Sequence, residues 1–301
     1  MKKNNENLSG KIVPASSVGL AFKRAVKSFA LLKESRIGMA GLFLVVLWIL
    51  IAIFAPLIAP YDPLANFQPF LKPGMVDSKG NLFLLGTDQI GRDMLSRLIF
   101  GARRVLIFAP LATFSAYLVG IVMGLLAGYR GGWWDIVLTR VGDVILSFPP
   151  IVLYIVIIGV VGATAINIVA AIILASGPGI MRIVRGLVLD IRTREYIAAA
   201  ETRGESDLFI MLVEILPNAR GPLIVDACLR LGFVTITIGI LAFLGLGLPP
   251  PEPDWGGMVN EARVFALAFP HMTLFPCIAI SSLVLGFNLL ADGLREISLR
   301  D

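Results

Sequence analysis

Six apolar stretches, at about residues 38–60, 103–128, 136–160, 165–187, 221–247 and 271–292, limit what this chain can become. Each is near or above the ~20 residues that an α-helix needs to cross a bilayer. Hydrocarbon offers no partners to backbone amides, so runs of this kind must satisfy them internally, as helices. Only 16% of the residues are charged and the mean hydropathy is +0.85, whereas a soluble domain carries about 25% charge. The expectation is an all-α integral membrane protein with six transmembrane helices. Cys228 and Cys277 both fall inside apolar runs and read as small hydrophobes rather than a disulfide. The first apolar run follows 37 mostly polar residues, too late and too long for a cleaved signal peptide, so it reads as a retained span.

Orientation follows from Lys and Arg. With the N-terminus inside, the pieces 1–37, 129–135, 188–220 and 293–301 hold fifteen of them, against five in 61–102, 161–164 and 248–270. Basic residues stay on the cytoplasmic side, which predicts both termini inside. The net charge of +5 is thus a topology signal, and the basic segment 1–37 a membrane anchor, with no nucleic-acid partner expected. Lys23, Arg24 and Lys27 among Leu20, Phe22, Val26 and Phe29 suit a short helix on the membrane surface. The chain divides into this segment 1–37, a first span with its extracytoplasmic loop (38–102), a five-span core (103–292) and a short cytoplasmic tail (293–301).

Several local features sit between and within the spans. Thr87 or Asp88 can cap a helix carrying Ile90, Met94, Leu95, Leu98 and Ile99 on one face, suited to lying at the interface before span two. Asp88, Arg92 and Asp93 read either as caps and a surface ion pair or as ligand contacts. Arg140 and Asp143 share a helix face and can pair. Pro149-Pro150 should kink span three, and Gly177-Pro178-Gly179 should interrupt span four. Arg182 and Arg185 mark where span four emerges. Arg230, in span five, has no obvious route to water. Pro249-Pro250-Pro251-Glu252-Pro253-Asp254-Trp255 reads as a stiff outside loop with an aromatic at the interface.

The longest polar interruption of the second half is Thr193–Pro217, TREYIAAAETRGESDLFIMLVEILP. Thr193 is the predicted N-cap of a helix with Glu195 in its first turn and Arg203 in its last, both matched to the helix dipole. Ala198-Ala199-Ala200 is strong helix former. Gly204 is placed to stop that helix, Ser206 to cap a second, and Pro217 to end the second at Leu216. The reading is a cytoplasmic elbow of two short helices around a glycine corner.

No G-x-x-x-x-G-K-[ST] phosphate loop, H-E-x-x-H or G-x-S-x-G occurs, and His271 is the sole histidine. ATP binding by a phosphate loop, zinc proteolysis and serine hydrolysis by those motifs are therefore not expected. Two readings remain, a translocator driven by another chain and a self-sufficient secondary transporter or channel. The second is disfavoured because no acidic residue stands out at mid-membrane as a proton relay.

The elbow resembles the cytoplasmic "EAA" loop of importer permeases in the ATP-binding-cassette superfamily. The match rests on Ala199-Ala200, Gly204 and Leu216-Pro217, flanked by Glu195-Tyr196 and Asn218-Ala219. GTDQIGRD at 86–93, LAFLGLGLPPPEPDWG at 241–256 and FNLLADGLR at 287–295 are similar to the second permease subunit of the dipeptide/oligopeptide/nickel group. The family's glutamate before the two alanines is Ala198 here, and Glu214 stands where isoleucine is usual. The resemblance implies a type I importer permease that is not itself an enzyme and binds no cofactor or metal. It implies a second permease subunit, two ATPase subunits holding ATP and Mg, an extracytoplasmic substrate-binding protein and surrounding lipid. Glu195, Tyr196, Ala199, Ala200, Glu201, Gly204, Leu216 and Pro217 would couple to an ATPase, by shape more than by charge at 198. Asp88, Arg92, Asp93, Asp254 and Trp255 would be the candidate binding-protein or gate contacts. The solute would be a peptide first, with nickel, glutathione or another small solute as alternatives.

Overall fold

The computed structural model describes residues 35–249 and 251–298. The surface helix expected around Leu20–Phe29 and the last residues of the tail lie outside them. Apart from a long loop between residues 59 and 93, the described residues are mostly helical. Helix α1 (Arg36–Ile53) is capped by Ser35, whose Oγ accepts from Gly38 N, and is followed by a short α2 (Ala55–Ile58). A long loop carries the antiparallel hairpin β1 (Met75–Val76) and β2 (Leu82–Phe83), where Met75 pairs with Phe83. Next come α3 (Met94–Leu125), extended by a π turn at Leu126–Arg130, then α4 (Gly132–Leu146), α5 (Pro150–Val161) and α6 (Ala165–Arg192). The elbow comprises α7 (Glu195–Thr202), α8 (Asp207–Phe209) and a π turn Ile210–Ile215 that leads into α9 (Leu216–Phe243). Two further helices, α10 (Trp255–Ala262) and α11 (His271–Ser298), complete the described chain. Among the described residues five helices are long and apolar enough to cross a membrane, and the α4–α5 pair, bent by 89°, makes a sixth crossing if taken as one span.

Proline placement decides where the spans break. The bend at Pro149-Pro150 is stronger than a kink, because the second proline drives Pro149 out of helical geometry (φ −58, ψ 126) and Pro150 then starts a new helix. The expected interruption at Gly177-Pro178-Gly179 is absent. Pro178 is buried mid-way along an unbroken α6, where neighbouring helices cover the freed backbone. Pro217 likewise does not end its helix, and Asp207–Phe243 runs as one 37-residue rod. The π turn before Pro217 shifts the bonding register, with Leu216 N reaching Met211 O, and the Asn218 side-chain amide takes the Glu214 carbonyl at 2.6 Å. The proline's missing N–H is thereby accommodated. The interfacial helix expected at Thr87–Ile99 is instead the first turns of α3, with Asp93 as its cap.

Close approach of α3 and α6 rests on a stripe that the sequence reading passed over. A Cβ on Gly120, Gly124 or Gly128 would lie 2.5–2.7 Å from Cβ of Ile180, Val184 or Val188. Small residues four apart let two membrane helices pack backbone to side chain.

Candidate functional site

The elbow is built from the inside outward. Thr193 does not cap α7. Its backbone is still helical, closing α6, and its hydroxyl donates to Asp190 O at 2.8 Å. Arg194, extended at φ −82 and ψ 146, takes the N-cap position without a side-chain bond. Glu195 occupies the first turn as expected. At the other end Gly204 has φ +77. Gly204 N donates to Glu201 O at 3.0 Å and Glu205 N to Ala200 O at 3.2 Å, the paired bonds of a Schellman stop, which favours glycine at this position. Ser206 Oγ then accepts from Phe209 N and opens the second arm.

The inner face of the elbow is apolar. Ile197, Ala200 and Ile215 are fully buried, with Ile210 at 1% exposure, and they pack with Tyr129, Val188 and Ile191 of α3 and α6. The outer face carries Glu195, Tyr196, Ala198, Ala199, Glu201 and Gly204, all exposed. The two alanines of the expected contact set thus part company, Ala199 facing out and Ala200 facing the spans. Leu216 and Pro217 lie apart from that outer face, on the wall of an apolar cleft of about 590 Å³ shared with Pro110, Thr113 and Tyr117 of α3. Polar ties bind the elbow to the end of α3. Tyr129 Oη donates to Glu201 Oε1 at 3.3 Å, Arg192 lies 5.6 Å over the Tyr129 ring, and Arg130 pairs with Asp207 at 3.4 Å.

The opposite end of the bundle is closed by buried charge. Asp88 Oδ2 accepts from Arg92 Nε at 2.6 Å and from Arg97 Nη1, and Glu261 Oε2 of α10 accepts from Arg92 Nη2 at 2.5 Å and from Arg97 at 3.0 Å. Asp93 caps α3 through Ser96 N and Oγ. Asp254 caps α10 through Gly256 and Gly257 N, and burial pushes its carboxyl above the usual range against the lowering effect of those amides. Trp255 is not an interfacial aromatic. It is fully buried, donates Nε1–H to Leu98 O at 2.9 Å and meets Trp48 edge-on at 4.8 Å. Sequence reasoning missed Arg97 and Glu261 as members of this cluster, because nothing local couples residues 164 positions apart.

Two more sets of charges lie among the spans. Asp143 pairs not with Arg140 but with Arg182 at 2.5 Å, and Asp135 receives Arg185 at 2.5 and 2.6 Å. Both pairs tie α4 to α6, since Arg182 and Arg185 sit one helix away while Arg140 shares α4 itself. Arg230 has a partner inside the bundle: its Nε donates to Asp226 Oδ2 at 2.7 Å, and the Tyr117 hydroxyl donates to the same oxygen. Asp226 is an acidic group within the spans that the sequence reading did not single out.

Residues 120–301 match the family described as binding-protein-dependent transport system inner membrane component, and residues 27–73 match the N-terminal transmembrane domain of oligopeptide transport permease C. The chain is 36% identical over 270 residues to the dipeptide transport system permease protein DppC of Alkalihalophilus pseudofirmus, covering 90% of this chain and 88% of that protein. It is 39% identical over 257 residues to the glutathione transport system permease protein GsiD of Pectobacterium atrosepticum, covering 85% and 84%. It is 36% identical over 286 residues to the di/tripeptide transport system permease protein DppC of Pseudomonas aeruginosa, covering 94% of each. The fold is similar to that of the MetNI methionine ABC transporter solved in inward-facing conformations, with a TM-score of 0.55 at 18% identity over 69% of this chain and 97% of that chain. The family match and the relatives show that this chain belongs to the binding-protein-dependent transport system inner membrane components, as a multi-pass permease subunit.

Proposed function

We propose that this permease forms half of the translocation pathway of an ATP-driven importer for di- or oligopeptides, coupled to its motor through the elbow at 193–217. The observation that carries the reading is the division of the elbow into an apolar inner face seated on α3 and α6 and an exposed outer face around Ala199 and the Gly204 corner. A helix fixed on one side and open on the other can receive a push and pass it on. Its rigid corner leads directly into the 37-residue rod Asp207–Phe243, so displacement of the elbow rotates a whole span. In this reading the elbow and both termini are cytoplasmic, which the excess of Lys and Arg in those pieces supports.

In this reading the partners are a second permease subunit, two ATP-binding-cassette ATPases that hold ATP and Mg, and an extracytoplasmic binding protein. The chain itself is non-catalytic and carries no cofactor. Peptides are the solute class because relatives covering most of the chain are named for dipeptide, di/tripeptide and glutathione transport. Glu195, Tyr196, Ala199, Glu201 and Gly204 supply the docking surface and Ala200 seats it from beneath, while Leu216 and Pro217, apart from that face, begin the span that the elbow moves. Reconstitution in liposomes tests this function. Peptide uptake is expected only when the ATPases, ATP and the loaded binding protein are all present. Uptake by this chain without ATPases, driven by an ion gradient, would contradict it.

A further inference from the structure

Arg230 and Asp226 lie inside the apolar helix Asp207–Phe243, about 20 and 25 Å from its Phe243 end at ~1.5 Å per residue. Charges inside such a helix are costly and mark solute or ion paths. Asp226 is held from two helices, by Arg230 Nε and by the Tyr117 hydroxyl of α3. The guanidinium's Nη1 and Nη2 lie beside Gly179 of α6, where a Cβ would stand 3.5–3.6 Å from them. Glycine at that position means that α6 puts no side chain of residue 179 over the Nη edge. Both charged side chains keep 22% exposure, and Arg230 lines a cleft of about 440 Å³ with Leu229, Phe233, Ile236, Val284 and Asn288.

We propose that Arg230 is a carboxylate-binding site on the solute path, receiving the carboxylate of a passing peptide on its Nη pair. The inference rests on the peptide-importer reading and deepens it. A planar guanidinium fork matches a carboxylate in two parallel hydrogen bonds. Asp226 and Tyr117 fix the fork's direction, and Asp226 already offsets part of its charge. The hold on an incoming monoanion is therefore weak enough to release, as passage requires. A doubly charged phosphate would exceed what one half-neutralised cation can match. Phe233 and Ile236 supply an apolar wall that tolerates varied side chains.

The test uses the complete importer in proteoliposomes, with binding protein and ATP, and follows uptake of L-alanyl-L-alanine together with ATP hydrolysis. Arg230→Gln is expected to lower dipeptide carried per ATP by about tenfold or more, the effect of losing a charge-assisted pair. Hydrolysis stimulated by the loaded binding protein should stay near wild type. Arg230→Lys, which keeps the charge but not the fork, should recover part of the loss. Because Arg230→Gln also strips Asp226 of its cation, Gly179→Ala provides a second arm. It adds a methyl group at ordinary contact distance over the Nη edge and should give the same split between uptake and hydrolysis. Unchanged uptake per ATP in Arg230→Gln, or a parallel loss of uptake and hydrolysis in Gly179→Ala, overturns the assignment. Absence of any ATP-dependent dipeptide uptake by the wild-type importer would overturn the peptide reading, and this assignment with it.

Discussion

At one end of the bundle Asp88, Arg92 and Arg97 keep their charges at 3–11% side-chain exposure, with Glu261 at the rim at 36%, whereas at the elbow the pairs Arg194–Asp190 and Arg203–Glu214 stand 27–69% exposed. The loop end is closed upon itself by ions and by a buried Trp255. The elbow end is seated by aliphatic side chains and shows its polar groups to whatever approaches. Buried ion pairs fix one geometry and penalise the loss of either partner. Exposed pairs contribute little and leave a surface free to meet another. The comparison teaches that the elbow's position comes from its floor, and that its outer face is available for a partner.

The comparison breaks first at Arg97. Arg97→Ala leaves Asp88 and Glu261 with one cation between them and should destabilise the purified protein by about 3–5 kcal/mol, read as a lowered thermal midpoint in detergent. A shift equivalent to less than about 1 kcal/mol, the worth of a surface pair, would mean that the loop end is not locked by charge. Ile197→Ala removes a fully buried side chain from the elbow's floor and should cost about 2–4 kcal/mol, with faster proteolysis inside 193–217. Proteolysis unchanged from wild type would show that the elbow is seated by something else.

Gly204→Val forces a β-branched residue to φ +77, a strain of about 1–2 kcal/mol. Its functional effect should exceed its thermal one, with ATP hydrolysis persisting while uptake is lost. Normal transport by an assembled complex with this substitution would remove the corner from the mechanism. The smallest expected effect is that of Arg203→Ala. Its pairs, at 3.6 and 3.8 Å to Glu205 and Glu214, are exposed and worth at most about 1 kcal/mol, so the thermal midpoint should hardly move.

The spans were legible because length and apolarity alone constrain a bilayer crossing. The 89° break at Pro149-Pro150 was legible because two prolines in series leave the chain no helical continuation. Single prolines misled: Pro178 is covered by its neighbours, and Pro217 is absorbed by a π turn whose register no local pattern announces. The elbow's glycine stop and Ser206 cap follow local chemistry and were read correctly, while Thr193 was drawn into the helix before it. The Arg92–Glu261 and Tyr117–Asp226 contacts join residues 169 and 109 positions apart, which no local rule in one sequence encodes, whereas Asp88–Arg92 and Asp226–Arg230 are i,i+4 pairs open to the spacing rule. The stripe Gly120, Gly124, Gly128 was readable by its spacing of four.

The central claim is that the outer face of the elbow meets an ATPase. In a complex whose native Cys228 and Cys277 have been replaced by serine, single cysteines at Ala199, Ala200 and Glu252 are labelled with a short maleimide–benzophenone reagent, whose excited ketone inserts into C–H bonds of whatever lies against it on irradiation. The account predicts a covalent product between an ATPase subunit and Ala199→Cys, and none from the buried Ala200→Cys or from Glu252→Cys at the opposite end. An ATPase product from Glu252→Cys, or its absence at Ala199→Cys in an assembled and active complex, would contradict it.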